Sequence, residues 1–210
     1  MSTVPYSAFK EPEPAWDVAK LFPPQGQWTE GEYLRLTEST NKLVELTDGN
    51  LRVLEMPTTA HQLIVEFLLD VFQAFVKPKG LGLILFAPLR VKIRNRKFRE
   101  PDLVFMLAEH ADRMGNDYWT GADLVVEIVS DSKEGRKRDL QEKREDYAEA
   151  GVPEYWIVDP VEKRITVLTL ANGRYVTFGE YSTEQIAASK LLPGLSVDVA
   201  ATFQAAEAFK

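Results

Sequence analysis

The sequence predicts an α/β protein, with a mixed central sheet, helices packed on it and an extended arm at its N-terminus. Three observations carry that prediction. The segments "DLVVEIVS", a polar helical stretch and "EYWIVD" follow one another as strand, helix and strand, an order that implies right-handed parallel pairing. Asp48-Gly49 and Asn172-Gly173 each separate short strand-like runs, a strong hairpin signal. A chain of 210 residues with 45% hydrophobic content is long enough for one sizeable core.

Along the chain, prolines at 5, 12, 14, 23 and 24 mark residues 1–28 as a proline-rich arm, which leaves 29–210 as one domain. The run "LVELTDGNLRVLE" reads as a hairpin. In "TTAHQLIVEFLLDVFQAFVKPKG", Leu63, Ile64, Phe67, Leu68, Val71, Phe72 and Phe75 recur at helical spacing. Thr58 or Thr59 caps that helix, and Pro78 and Gly80 stop it. "LGLILFAPLRVKI" is a strand broken at Pro88. A turn at Asn95 to Lys97 leads into a second strand, "REPDLVFML", expected to pair with the first. After the βαβ unit, whose helix runs from about Glu134 to Ala150 and ends at Gly151, come "RITVLTL", "RYVTF", "LSVDV" and a short terminal helix.

Composition narrows the function classes. No run of about 18 apolar residues offers a bilayer span, and "MSTVPYSAFKEPEP" lacks the basic-then-apolar pattern of a secretory signal, so a cytoplasmic protein without membrane contact is expected. Zero cysteines exclude disulfides and thiolate metal sites. With His61 and His110 the only histidines, a bound metal would be held by oxygen. The formal charge of −7 argues against non-specific coating of nucleic acid, while leaving a local basic groove open.

Glu127 raises the central question. It sits among Leu124, Val125, Val126, Ile128 and Val129 in a buried-type strand, where an unpaired carboxylate costs several kcal/mol. Strand parity puts Glu100 and Asp102 on one side of their strand, and Glu127 with Val125 and Val129 on one side of its own. If the two strands are neighbours, Asp102 and Glu127 meet, and two carboxylates that close do not both ionise without a cation between them. Mg²⁺, or Mn²⁺ in its place, is the hard-oxygen cation suited to such a pair. On the following helix Asp139, Lys143 and Tyr147 stand at i, i+4 and i+8, hence on one face that the crossover lays over the sheet. An ammonium there stabilises charge in phosphoryl transfer.

The densest local charge is "RVKIRNRKFR". Arg90, Lys92 and Arg94 alternate with buried-type Val91 and Ile93, and Arg96 and Lys97 follow, a pattern expected to bind the DNA backbone. A charged, aggregation-resistant strand edge is the competing reading.

The set "EPDLVF", "VVEIVS", "DLQEKREDYAEAGV", "EYWIVDP", "VELTDGNL" and "TTAHQ" resembles the Uma-two family of restriction endonucleases, formerly a domain of unknown function, over about Glu32 to Phe203. The resemblance implies a restriction-endonuclease-like fold with a PD-(D/E)XK site. Carried onto this chain, it makes Asp102 and Glu127 the acidic pair and the backbone carbonyl of Ile128 a further metal ligand. The motif's lysine position holds Val129, and similarity to the family suggests that Lys143 replaces it. Glu45 matches an acidic position of the family, where it would complete the metal shell or orient Lys143.

Blander readings stand beside these: a strand edge facing water for Glu127, turn chemistry for Asp102, a solvated helix face for Lys143, a capping or core hydrogen bond for His61. Asp139 and Tyr147 read as a positioning acid and a packing aromatic. The expectation is a Mg²⁺-dependent endonuclease cutting DNA as a homodimer, because two cuts in a duplex suit a two-fold pair. The alternatives are a non-cleaving module that keeps the fold and binds nucleic acid or protein, and a scaffold with an interface at Trp119, Tyr155 and Trp156.

Overall fold

The computed structural model describes residues 19–40 and 42–207. Most of the proline-rich arm, residues 1–18, lies outside the described residues. Its last part docks on the first hairpin: the Gln25 side chain bonds both polar groups of the Leu51 backbone, and Trp28 is buried.

A helix absent from the sequence reading comes next, α1 (Glu30–Glu38). Thr29 and Glu32 close a capping box at its start, each side chain bonding the other's backbone N–H. Strands β1 (Val44–Thr47) and β2 (Asn50–Val53) form the expected hairpin, with Asp48 and Gly49 both at positive φ. Helix α2 (Thr59–Val76) begins at Thr58, whose hydroxyl accepts from the His61 N–H. Its Ile64, Leu68, Phe72 and Val76 are buried in the core. That packing, with exposed Glu66 and Asp70, marks a core helix although its length and mean hydropathy would suit a membrane span.

The strand broken at Pro88 divides between two sheets. β3 (Gly82–Phe86) pairs with β6 (Leu103–Leu107), while β4 (Val91–Arg94) pairs with β5 (Lys97–Arg99). Two corrections follow. Lys97 belongs to a strand and not to the turn, and "REPDLVFML" is two strands in different sheets joined by Glu100–Asp102. The Pro-Asp dipeptide therefore lies where the chain passes between sheets, free of either ladder.

A 3-10 turn (Ala108–Arg113) and β7 (Trp119–Thr120) lead to β8 (Leu124–Ile128), which runs parallel to β9 (Glu154–Asp159) as predicted. The crossover is helical throughout but irregular: α3 (Lys133–Lys137), a π-helical segment (Arg138–Glu142) and α4 (Lys143–Glu149). β10 (Arg164–Ala171) and β11 (Arg174–Ser182) make the second hairpin, and β12 (Ile186–Ala188), β13 (Ser196–Asp198) and α5 (Val199–Ala205) close the chain.

The six-stranded mixed sheet has the order β11-β10-β9-β8-β6-β3, and a five-stranded sheet the order β2-β1-β5-β4-β7. One face of the six-stranded sheet packs Leu103, Phe105, Leu124, Val126 and Trp156 against α2 and α5. The other packs Val104, Val125, Val129 and Tyr155 with Tyr147 of α4 and with Val91 and Ile93 of the second sheet. Trp119, Tyr155 and Trp156 are core residues, which removes the interface proposed for them.

Candidate active site

Strands β6 and β8 are neighbours, with Val104 opposite Val125, so the Asp102–Glu127 juxtaposition turns on that register. Asp102, just before β6, accepts at Oδ2 from the Ile128 N–H at 2.7 Å, and its Oδ1 lies 2.9 Å from His61 Nε2 at the start of α2. His61 thus orients a carboxylate across the gap between helix and sheet. Burial works against a charged imidazole, but the Asp102 hydrogen bond and the Asp102 and Glu127 charges raise His61 above its ordinary value.

Glu127 is buried and points away from α2, toward the crossover helix. Lys143 Nζ donates to its Oε2 at 2.6 Å and the Tyr147 hydroxyl to its Oε1 at 2.5 Å. Asp139 stands 3.2 Å from the same ammonium and accepts at its other oxygen from the Ser130 N–H and hydroxyl. The face expected at Asp139, Lys143 and Tyr147 therefore exists, and both Asp139 and Tyr147 touch the charged pair. Gly135 permits it: a Cβ there would lie 2.5 Å from Ser130 Cβ, so only glycine lets the helix start press against the loop that carries Ser130.

Burial pushes the Glu127 carboxyl above the usual carboxylate range, with the Lys143 charge opposing and Asp102 and Asp139 adding to it. For Lys143 burial favours the neutral amine, yet Glu127 and Asp139, then Glu45 and Asp102, outweigh it and hold the ammonium above its ordinary value. Four acids thus bear on Lys143, of which Asp102, Asp139 and Glu45 are also paired with His61, Arg138 and Arg99.

Glu100, which the sequence reading placed on the side of Asp102 but assigned no role, shares the site. It lines the same cavity as Asp102, Glu127, Asp139 and Lys143, and its Oε2 is buried without a partner. Burial, then the neighbouring Glu45, pushes its carboxyl up to about 7. Arg138, also unassigned from sequence, lines the cavity and bonds Asp139 and Ser130. Glu45 lies behind this wall: its Oε2 accepts from Arg99 at 2.8 Å, its Oε1 is unpartnered, and its contact with Lys143 is one of charge and not of hydrogen bonding. His110, without an evident partner in sequence, pairs with Asp123 away from the site.

The basic stretch departs most from expectation. Lys92 pairs with Glu30, Arg94 with Asp48 and Glu149, and buried Lys97 with Asp146; Arg90 bonds the Asp117 carbonyl and Arg96 the Gly26 carbonyl. Arg99, deeper still, links Glu45 and Asp146. These cations tie the five-stranded sheet to α1, α4 and the docked N-terminal segment. Of the strip expected to bind phosphate, Lys92, Arg94 and Lys97 are thus engaged by acids far away in sequence, while Arg90 and Arg96 are held by carbonyls alone.

The donor set fits a divalent cation such as Mg²⁺ or Mn²⁺. Asp102, Glu127 and the orphaned Glu100 oxygen are hard donors around one cavity. Among the described residues no three His, Asp or Glu side chains converge at metal-ligand spacing, so backbone oxygen, water or phosphate would have to complete the shell of an ion held by this arrangement. That is the habit of Mg²⁺.

The arrangement is thus a mixed sheet whose adjacent strand ends present two acids, with a lysine brought over them by a crossover helix. The family described as "Uma2: Putative restriction endonuclease" matches residues 31–200, and the chain belongs to that family. Among solved structures, a putative nuclease belonging to DUF820 from Anabaena variabilis superposes with a TM-score of 0.68 at 19% identity, covering 85% of this chain and 99% of that one. That likeness is one of fold. No curated protein matches the chain significantly.

Proposed function

We propose that the chain is a divalent-cation-dependent endonuclease that hydrolyses DNA phosphodiester bonds. The observation that carries this reading is the contact between Lys143 and Glu127, an ammonium from the crossover helix 2.6 Å from a strand carboxylate in the cavity that Asp102 also lines. Asp102 and Glu127, with the Ile128 carbonyl, would hold the ion, which when bound would neutralise phosphate charge and lower the pKa of a coordinated water.

The chain's own residues then have distinct tasks. His61 and the Ile128 N–H fix both oxygens of Asp102. Tyr147 and Lys143 fix those of Glu127. Lys143 carries three N–H donors; one bonds Glu127 and the ammonium is ion-paired with Asp139, which leaves donor capacity for a water or phosphate oxygen in the cavity. Asp139, bonded to the Ser130 N–H and hydroxyl, is the positioning residue that aims the ammonium.

The test is plasmid cleavage with Mg²⁺ or Mn²⁺ by the wild type, Asp102→Ala and Lys143→Ala. Nicking or linearisation by the wild type alone is expected, with each variant reduced at least about a hundredfold. Equal behaviour of all three proteins removes the proposal. Against the rival reading, a non-cleaving module that binds through the basic strand, stand the ion pairs of Lys92, Arg94 and Lys97; binding of DNA with no metal uptake and no cleavage would favour it.

A further inference from the structure

The cavity that holds the two acids has walls of another kind. Leu54, Met56 and Pro57 line one side, on the segment leading into α2, and Phe86, Ala87 and Pro88 line another, on the segment leaving β3. Phe86 stands opposite Leu103 in the β3–β6 register, and the Ala87 N–H bonds the Asp102 carbonyl, so this wall runs directly beside Asp102. Met56 is 77% and Phe86 52% exposed, two large apolar side chains flanking a polar floor. The cavity measures about 380 Å³, a size that encloses a small ligand or a single nucleotide and not the width of a double helix.

The charges around it point the same way. Exposed Glu55 and Asp131 lie on the cavity lining, and they repel a second phosphate strand. Duplex-binding proteins neutralise many phosphates with free Lys and Arg, and the cations of 90–99 are held by the protein's own acids and carbonyls. Apolar side chains beside a single acceptor site suit unpaired bases, which offer a stacking face whatever their sequence.

Resting on the nuclease reading above, we infer that the substrate enters this site as an unpaired DNA strand, a single-stranded segment or a frayed end, with bases against Met56 and Phe86 and one phosphate reaching the acids. The energy of recognition then comes from stacking more than from phosphate neutralisation. Its salt dependence is correspondingly shallow, with a log–log slope of about −1.4 to −2.1, as for two or three phosphate contacts on a single strand.

The experiment compares a fluorescently labelled single-stranded 20-mer with the blunt duplex of the same sequence, by anisotropy in EDTA and by cleavage in Mg²⁺. Both are run with the wild type and with a Met56→Ala/Phe86→Ala double variant; both positions are exposed, and a thermal melt confirms that the variant folds. The single strand is expected to be bound and cut at least tenfold better than the duplex. The double variant should lose about tenfold or more of that binding, as removal of a stacking platform does. Duplex cut as well as or better than single strand overturns the inference and leaves the nuclease standing. A single-strand preference that the double variant retains in full overturns it too, since the bases then rest elsewhere. If the wild type binds and cuts neither substrate, the nuclease reading itself falls and takes this inference with it.

Discussion

Replacing Glu100 by Gln should stabilise the protein, and increasingly so as pH rises. Glu100 is 5% exposed, its Oε2 has no partner, and burial together with Glu45 moves its carboxyl from an ordinary 4.5 to about 7. In the unfolded chain the proton leaves near 4.5, while in the folded chain it stays until about 7. Between those values the unfolded state binds fewer protons, so stability falls as pH rises, by up to 1.36 kcal/mol per pH unit. The favourable contribution is complete below pH 4.5 and lost above 7, and the interval integrates to about 3 kcal/mol. Glutamine keeps the shape and an acceptor without the charge. Urea denaturation of wild type and Glu100→Gln, metal-free, from pH 4 to 8.5 should give curves that diverge by up to about 3 kcal/mol in favour of the variant, most of it between 5 and 7. A difference that stays constant within about 0.5 kcal/mol across that range would refute the account of Glu100 as a buried, charge-crowded carboxyl.

Three further outcomes follow from the same coordinates. Lys143→Met and Glu127→Gln should each cost several kcal/mol by stranding a buried partner, while the double variant costs at least about 1 kcal/mol less than their sum; additive costs in denaturant titrations would mean the pair is not coupled. Calorimetry with Mn²⁺ should detect one site in the wild type and none in Asp102→Ala, and its affinity should rise with pH, because burial holds the Glu127 carboxyl above the usual carboxylate range. Gly82→Ala should destabilise by about 2 kcal/mol or more, because its Cβ would lie 2.0 Å from the Met106 carbonyl oxygen at a φ of +154°; a thermal midpoint within about 1 °C of wild type would contradict the β3–β6 register.

What was legible in the sequence was local or periodic. The Asp48-Gly49 and Asn172-Gly173 turns, the apolar stripe of α2 and the strand–helix–strand order were each written in neighbouring residues, and the structure contains each of them. Helix α1 was missed although its signal was present: Thr29 and Glu32 form a capping box, but proline density just upstream drew attention to an arm. The site was half legible. A carboxylate inside an apolar strand raised the question of Glu127, and helix spacing put Asp139, Lys143 and Tyr147 on one face. Glu100 and Arg138 carry no such pattern, since their place in the cavity depends on the crossing between two sheets. The basic stretch misled for the same reason. Its partners Glu30, Asp48 and Asp146 are 62, 46 and 49 residues from the lysines and arginine that they bind, and no local rule reveals that the charges cancel.

The position of the lysine follows from where the sheet ends. Two residues beyond Glu127, just past the end of β8, Val129 is buried, packs into the core while lining the cavity floor, and bonds Val158 through its N–H. A lysine there would have to leave that core. Supplied instead from the crossover, Lys143 arrives over Glu127 from outside the sheet, and the π-helical segment Arg138–Glu142 just before it sets the registration in which Asp139, one turn earlier, grips the same ammonium. An ammonium on a strand would be placed by the sheet alone. Here it is placed by Glu127, by Asp139 and through Asp139 by Ser130, so the charge that faces the cavity is fixed by the loop after β8 as much as by the strand. Such a site tolerates the loss of the strand lysine only while that loop stays packed, which ties the chemistry proposed for Lys143 to the close approach at Gly135.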